Sequence, residues 1–201
     1  MLLKNIFGDK RIVGLVGEKD SGKTNNLVYL IKEYRETRKD VPIYAYGFPA
    51  DVMHYLKRFK VHEISSLKHL IQKRNCILIL DQVERLKLND RRYKEQLDQF
   101  VDFIYHSNVY AILCSPNIRE FNSIIGSVIE RYLLKTVRED SCVNGSQIKG
   151  VVGEYKGKYK SLGAIEVPKN EMVLINNDEE IIIECEYIRE ADTKNINKNL
   201  F

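Results

Sequence analysis

The sequence predicts an α/β fold of three layers, a mostly parallel sheet between helices, with an antiparallel β extension at the C-terminal end. Two observations carry this reading. Short, nearly continuous apolar runs alternate with segments whose apolar residues recur at helical spacing, as in parallel strands joined by right-handed crossovers. Beyond Ser141 that alternation stops. Short strand-like runs follow, separated by turn signals at Asn144-Gly145, Gly157-Lys158, Pro168-Lys169-Asn170 and Asn176-Asn177.

Arg11-Ile12-Val13-Gly14-Leu15-Val16 opens the core as the apolar run of a central strand covered on both faces. Leu27, Leu30, Ile31 and Tyr34 mark one face of a helix that ends at Asp40-Val41-Pro42, because proline cannot continue the hydrogen-bond ladder. Pro42-Ile43-Tyr44-Ala45-Tyr46 reads as a second strand, closed by Gly47-Phe48-Pro49. The mixed stretch 52–73 is expected to hold two short helices. Cys76-Ile77-Leu78-Ile79-Leu80-Asp81 is a third, buried strand with a carboxylate at its C-terminal end. Tyr93, Leu97, Phe100, Val101 and Ile104 form the apolar face of an amphipathic helix. Val109-Tyr110-Ala111-Ile112-Leu113-Cys114 is a fourth strand, Phe121, Ile124, Ile125 and Val128 a further helical stripe, and Tyr132 to Val137 a fifth strand. Residues 1–140 are thus expected to form the core, 141–192 a β-rich extension packed on it, and 193–201 a polar tail.

With 201 residues, 44% of them apolar, the chain can bury one sizeable core but not two large domains. Its 30% charged residues are ordinary for a soluble surface. No stretch approaches the roughly 20 apolar residues that a membrane span requires. Met1-Leu2-Leu3-Lys4-Asn5 turns polar at once, so no secretory leader is expected and the protein should stay in the cytoplasm where it is made. Cys76, Cys114, Cys142 and Cys185 lie far apart, and His54, His62, His69 and His106 also lack metal-ligand spacing. The net charge of +4 hides an asymmetry. Residues 171–192 hold eight acids against Arg189 alone, a balance of −7, and Lys194 and Lys198 return +2, which leaves +9 on residues 1–170. A basic body of that kind suits a polyanionic partner.

Gly17-Glu18-Lys19-Asp20-Ser21-Gly22-Lys23-Thr24 matches the phosphate-binding pattern G-x-x-x-x-G-K-[ST] in full, and sits between a strand and a helix where the chemistry needs it. Gly17 and Gly22 let the backbone wrap closely, so that its N–H groups face the phosphates, and the helix start through Asn25 adds partial positive charge. Lys23 is expected to reach the β- and γ-phosphates of ATP and the Thr24 hydroxyl to bind Mg²⁺. Asp81 ends an apolar strand in the crevice at the C-terminal edge of a parallel sheet, where a carboxylate can hold magnesium through water or simply cap the loop.

With these two motifs, and a fourth strand running into polar Ser115-Pro116-Asn117, the chain resembles the additional-strand P-loop ATPases. Within them it is most similar to the HerA/FtsK group, which includes the small DNA-packaging ATPases of viruses. The resemblance covers about residues 11–138 and rests on Gly17 to Thr24, on Ile77 to Asp81, and on the passage Tyr105-His106-Ser107-Asn108-Val109-Tyr110-Ala111-Ile112-Leu113. It implies that Lys23 and Thr24 bind phosphate and magnesium, and that Asp81 is the Walker B carboxylate. The family's γ-phosphate sensor after the fourth strand is usually glutamine; Asn117 stands nearest to that place, and can equally cap the following helix. The chain departs from the family after Asp81, where a water-activating glutamate is usual and Gln82 stands instead. An amide can orient a water but cannot take its proton. Glu84 can supply that charge, or serve as a solvent-facing carboxylate at a helix start.

The resemblance further implies a homo-oligomeric ring in which an arginine reaches a neighbour's γ-phosphate, with Arg119, Arg131 and Arg138 as candidates. Its expected partner is double-stranded DNA bound without regard to sequence, and a capsid or membrane-associated partner fits the same resemblance without insertion into a membrane. A viral origin would make the compartment the host cytoplasm. Tyr155-Lys156-Gly157-Lys158-Tyr159-Lys160 and His54-Tyr55-Leu56-Lys57-Arg58-Phe59-Lys60 interleave cations with aromatics, so either can contact a nucleic-acid backbone or be a solvated surface. The leading expectation is an ATP-driven motor that moves or packages DNA. A P-loop nucleotide or small-molecule kinase and a non-hydrolysing ATP-binding switch are the alternatives.

Overall fold

Five-residue runs in which every side chain is buried, Ile12–Val16 (β1) and Cys76–Leu80 (β4), sit inside an eight-stranded sheet in this computed structural model. The structure describes residues 2–38, 40–66, 69, 72–83, 91–115, 125–142, 144, 146–176 and 179–191. The other strands of the sheet are Ile43–Tyr46 (β2), Val61–Glu63 (β3), Val109–Ser115 (β5), Arg131–Leu134 (β6), Glu171–Asn176 (β10) and Glu179–Glu184 (β11). A second sheet holds Val137–Arg138 (β7), Lys160–Ser161 (β8) and Ala164–Ile165 (β9). The large sheet runs β11-β10-β6-β1-β5-β4-β2-β3, parallel from β6 to β3 and antiparallel at the β10–β11 hairpin. The strand β5 is inserted between the loop-bearing β1 and the Asp81-bearing β4, which is the additional strand that the motifs imply.

Alternate residues of the central strands face opposite layers. Val13, Leu15, Ile77, Ile79 and Ile112 pack with helices Leu2–Phe7 (α1), Lys23–Thr37 (α2) and Ala50–Lys57 (α3). Ile12, Leu78, Leu80, Ala111 and Leu113 pack with Phe100 and Ile104 of Arg91–His106 (α4) and Ile148 and Val152 of Gln147–Glu154 (α5). The fold is therefore three-layered α/β, as the sequence predicts. The six residues of α1 are too few to hold a helix by themselves, and burial of Leu3, Ile6 and Phe7 supplies the missing stability. No helix among the described residues is long and apolar enough to cross a membrane.

Five segments depart from the pattern reading. In the stretch 52–73 the described residues hold helix α3, then the edge strand β3, because Val61–Glu63 finds an open edge on β2, and then a helical position at His69; residues 67, 68, 70 and 71, where the second expected helix falls, lie outside the described residues. The expected fifth strand breaks at Lys135-Thr136, so that β6 stays in the large sheet while β7 starts the small one. A helix, α5, capped by the Ser146 hydroxyl, interrupts the C-terminal β region. The β10–β11 hairpin then continues the large sheet through β6. Of the stripe at Phe121, Ile124, Ile125 and Val128, the described part is a short 3₁₀ turn over Ile125–Val128, and the rest lies outside the described residues.

Candidate nucleotide site

The parallel strands bring four C-terminal ends to one edge: the loop after β1, Gly47 after β2, Asp81 after β4 and Lys135 after β6. Ligands of open α/β sheets bind in this crevice. The loop 17–22 runs from β1 into α2 with little room to spare. A Cβ on Gly17 would lie 2.5 Å from the Cβ of Lys135 and 2.8 Å from Ser21 Oγ, so only glycine fits. Gly22, at φ +92°, turns the chain into the helix, and a Cβ there would come 2.7 Å from the carbonyl oxygen of Lys169. Lys23 is buried, and its ammonium folds back on the loop, donating to the carbonyls of Gly17 (3.0 Å) and Glu18 (2.6 Å) and to Ser21 Oγ (3.4 Å). Lys19 and Asp20 are exposed at the tip, Asp20 with a left-handed φ of 64°.

The Thr24 hydroxyl donates to Asp81 Oδ2 at 2.8 Å, so the two sequence-predicted metal ligands meet across the gap between α2 and β4. Asp81 is 2% exposed. Desolvation raises its pKa above the ordinary carboxylate value, opposed by hydrogen bonds from Thr24 and the Cys114 thiol, the nearby Lys23 charge, and the Gln82 N–H (3.0 Å). A hydroxyl and a buried carboxylate side by side are hard oxygen donors suited to Mg²⁺, and a buried carboxylate is relieved by a cation. The residues present therefore fit the ion. Gly47 closes the other side of Asp81: a Cβ on it would lie 1.7 Å from the Asp81 carbonyl oxygen. Gln82 takes a left-handed φ of 56°, which turns the chain sharply out of β4 immediately after the carboxylate.

Other predicted residues have different surroundings. The Asn25 side chain is engaged away from the loop, donating to the Glu186 carbonyl (3.1 Å) and accepting from the Ile188 N–H (2.8 Å). Glu18 pairs with Arg138 (3.6 Å) and accepts from Ser141 Oγ (3.3 Å), so Arg138 contacts the loop of its own chain. Arg131 lies at the start of β6 beside Val13, at the opposite end of the sheet from the loop, and its guanidinium donates to the carbonyls of Asn5 and Ile6 at the end of α1. Glu84, Asn117 and Arg119 lie outside the described residues. Sequence reasoning missed Lys135, Cys114 and Gly47 as site residues. Only Gly47 carried a local signal, and it read as a strand stop.

In the cation–aromatic cluster 155–160, Tyr155 to Tyr159 form the loop between α5 and β8. Tyr155 is buried and its hydroxyl donates to Glu180 (2.5 Å), while the Tyr159 hydroxyl donates to the Glu171 carboxylate. Lys160 binds the carbonyls of Val152 (2.6 Å) and Gly153 (3.4 Å) at the end of α5. Lys156 and Lys158 are exposed, and the Lys158 ammonium donates to the Tyr159 hydroxyl (2.9 Å). In the second cluster, Lys57 pairs with Glu63 (3.7 Å) and Arg58 lies over the Tyr55 ring (5.4 Å).

By sequence the chain matches no protein-family model and none of the curated proteins. Its structure is similar to that of B204, the DNA-packaging ATPase from Sulfolobus turreted icosahedral virus, with a TM-score of 0.62 and 11% identity over 89% of this chain and 98% of that one. B204 from Sulfolobus turreted icosahedral virus 2, in complex with ATP-gammaS, gives a TM-score of 0.58 and 13% identity over 89% and 98% of the two chains. The cytoplasmic domain of the type VII secretion ATPase EccC from Thermomonospora curvata gives 0.60 and 10% identity, over 91% of this chain but 24% of that one. At such identities the likeness establishes architecture, and the inserted strand β5 makes it specific: this chain has the additional-strand P-loop ATPase fold and resembles the viral packaging ATPases in it.

Proposed function

We propose that the chain binds ATP with Mg²⁺ and hydrolyses it to drive movement or packaging of double-stranded DNA, acting as a homo-oligomeric ring. The observation that carries this reading is the 2.8 Å contact of Thr24 with Asp81 beside a loop whose buried Lys23 is held on that loop's own atoms. A triphosphate offers Lys23 stronger, charged acceptors than the carbonyls of Gly17 and Glu18, so the ammonium transfers to the β- and γ-phosphates. Thr24 and Asp81 would hold magnesium, which supplies charge neutralisation on the phosphates. Gln82 orients the attacking water through its amide, Glu84 takes the proton, and Asn117 reads the γ-phosphate. The left-handed turn at Gln82 supports a role for the residues that follow Asp81.

Steady-state ATP turnover with and without double-stranded DNA tests the reading. The native chain is expected to turn over ATP and to be stimulated by DNA, and Lys23→Ala to lose turnover and weaken triphosphate binding. Native turnover in a folded Lys23→Ala protein would remove the site assignment. Absence of DNA binding at low salt, in a protein that assembles and hydrolyses ATP, would remove the motor. The presence of Gln82 favours a second reading, an ATP-binding assembly switch; its signature is tight ATP binding with no turnover under either condition.

A further inference from the structure

We propose that Lys135 is a positioning residue of the phosphate loop, clamping a C-terminal strap, residues 168–171, against it and so setting triphosphate affinity. The inference deepens the nucleotide reading and rests on it.

Lys135 is 0% exposed, which is rare for a lysine, whose charge is costly to bury without strong partners. Its three ammonium donors go to three backbone carbonyls, those of Pro168 (2.7 Å), Lys169 (3.0 Å) and Glu171. Among the described residues no carboxylate accepts from it; the Glu171 carboxylate is taken by Tyr159. A lone salt bridge is therefore not the reason for this residue. What the ammonium does is collect the carbonyls of one strap onto one point.

That point lies against the loop. The Lys135 N–H donates to the Val16 carbonyl (2.8 Å), and the carbonyl of Thr136 accepts from the Glu18 N–H (2.8 Å). Gly17 rests on the Lys135 side chain itself, so residues 135–136 hold the first half of the loop. The strap holds the second half, with the Lys169 carbonyl against Gly22 at the start of α2. Asn26, one turn into α2 and fully buried, donates to the same Glu171 carbonyl that Lys135 uses (3.3 Å). The Thr136 hydroxyl adds a tie to the Val167 carbonyl (2.9 Å). The loop is thus gripped from both sides, and one ammonium joins the two sides of the grip. An uncharged side chain of the same length would fill the volume but take the ammonium away from all three carbonyls, leaving Pro168 with the Glu171 N–H (3.0 Å) and Glu171 with Asn26 (3.3 Å).

The same burial supplies a readout. Desolvation, opposed by Cys185 beyond β11 and Glu171 on β10 and helped by the Lys23 charge on α2, leaves the Lys135 pKa lowered to about 8. Above that pH the neutral amine has two N–H donors for three carbonyls, and the clamp loosens.

The experiment is equilibrium binding of ATPγS with Mg²⁺ to the full chain and to Lys135→Met, between about pH 7 and pH 9.5. Native affinity is expected to fall about tenfold across this window, the equivalent of one lost hydrogen bond. Lys135→Met is expected to bind about tenfold or more weakly at pH 7, with a flat profile that matches the native chain most closely at high pH. Native-like affinity in Lys135→Met overturns the proposal, as does a reduced stability with unchanged affinity, since that is a purely structural lysine. If Lys135→Met does not fold, the native profile decides: a fall near pH 8 supports the clamp and a flat profile overturns it. A native chain that binds no triphosphate at any pH removes the nucleotide reading, and the clamp with it.

Discussion

Replacing Gly47 by alanine tests how the Asp81 side of the site is built, where magnesium is proposed to bind, without touching any residue that would contact nucleotide. The added Cβ would start 1.7 Å from the Asp81 carbonyl oxygen, whereas real Cβ atoms essentially never approach closer than 3.0 Å. The two backbones must therefore separate by the difference, about 1.3 Å. The parallel ladder resists, since the Asp81 N–H donates to the Tyr46 carbonyl at 2.8 Å and Tyr46 lies beside Leu80 in register. Gly47 also holds φ +81°, which a side chain adopts at a further cost. Strain and overpacking together cost about 3 kcal/mol of folding stability. A displacement of about 1 Å at a catalytic group lowers turnover about a hundredfold. Urea denaturation should show the loss of stability, and nucleotide titration should show that Mg²⁺ no longer strengthens binding. Mg²⁺-free affinity should persist, because β4 and β5 separate β2 from the loop-bearing β1. Gly150, inside α5 with open space around it, is the control: alanine there should add up to about 1 kcal/mol through helix propensity. Native stability and native Mg²⁺ coupling in Gly47→Ala would refute the contact between Gly47 and Asp81 as a determinant of the site.

Two further expectations concern catalysis and partner. If Glu84 takes the proton, Glu84→Gln should lower turnover far more than nucleotide binding; turnover that survives it and collapses in Gln82→Ala assigns the water to the amide. If the loop after α5 meets DNA phosphates, replacing Lys156 and Lys158 by alanine should flatten the slope of log K against log salt by up to about two units. Lys160→Ala should instead leave the slope unchanged and lower stability, because its ammonium satisfies the end carbonyls of α5. A slope that responds to Lys160 alone contradicts this division.

The strands β1, β2, β4 and β5, the helix α2 and the phosphate loop were legible along the chain because each is written in consecutive residues. An all-apolar run of five, too short for a helix and bounded by turn residues, reads as a strand covered on both faces, and the spacing of Gly17, Gly22, Lys23 and Thr24 points to phosphate binding. The pairing of Thr24 with Asp81 followed from those elements, since a parallel sheet collects its C-terminal ends at one edge. Tertiary structure decided what depends on distant partners. Val61–Glu63 became a strand because β2 had a free edge, and the run 132–137 split because the sheet turns away at Lys135. The β10–β11 hairpin joined the large sheet because β6 offered it an edge. Gly47 and Lys135 acquired their roles in the same way, one from the Asp81 backbone and the other from carbonyls 33 to 36 residues further along the chain. Periodicity and motif spacing report only near neighbours. A glycine forced by another strand's backbone, or a lysine that ties a remote strap, leaves no local pattern, because the atoms that demand it come together only when the sheet forms.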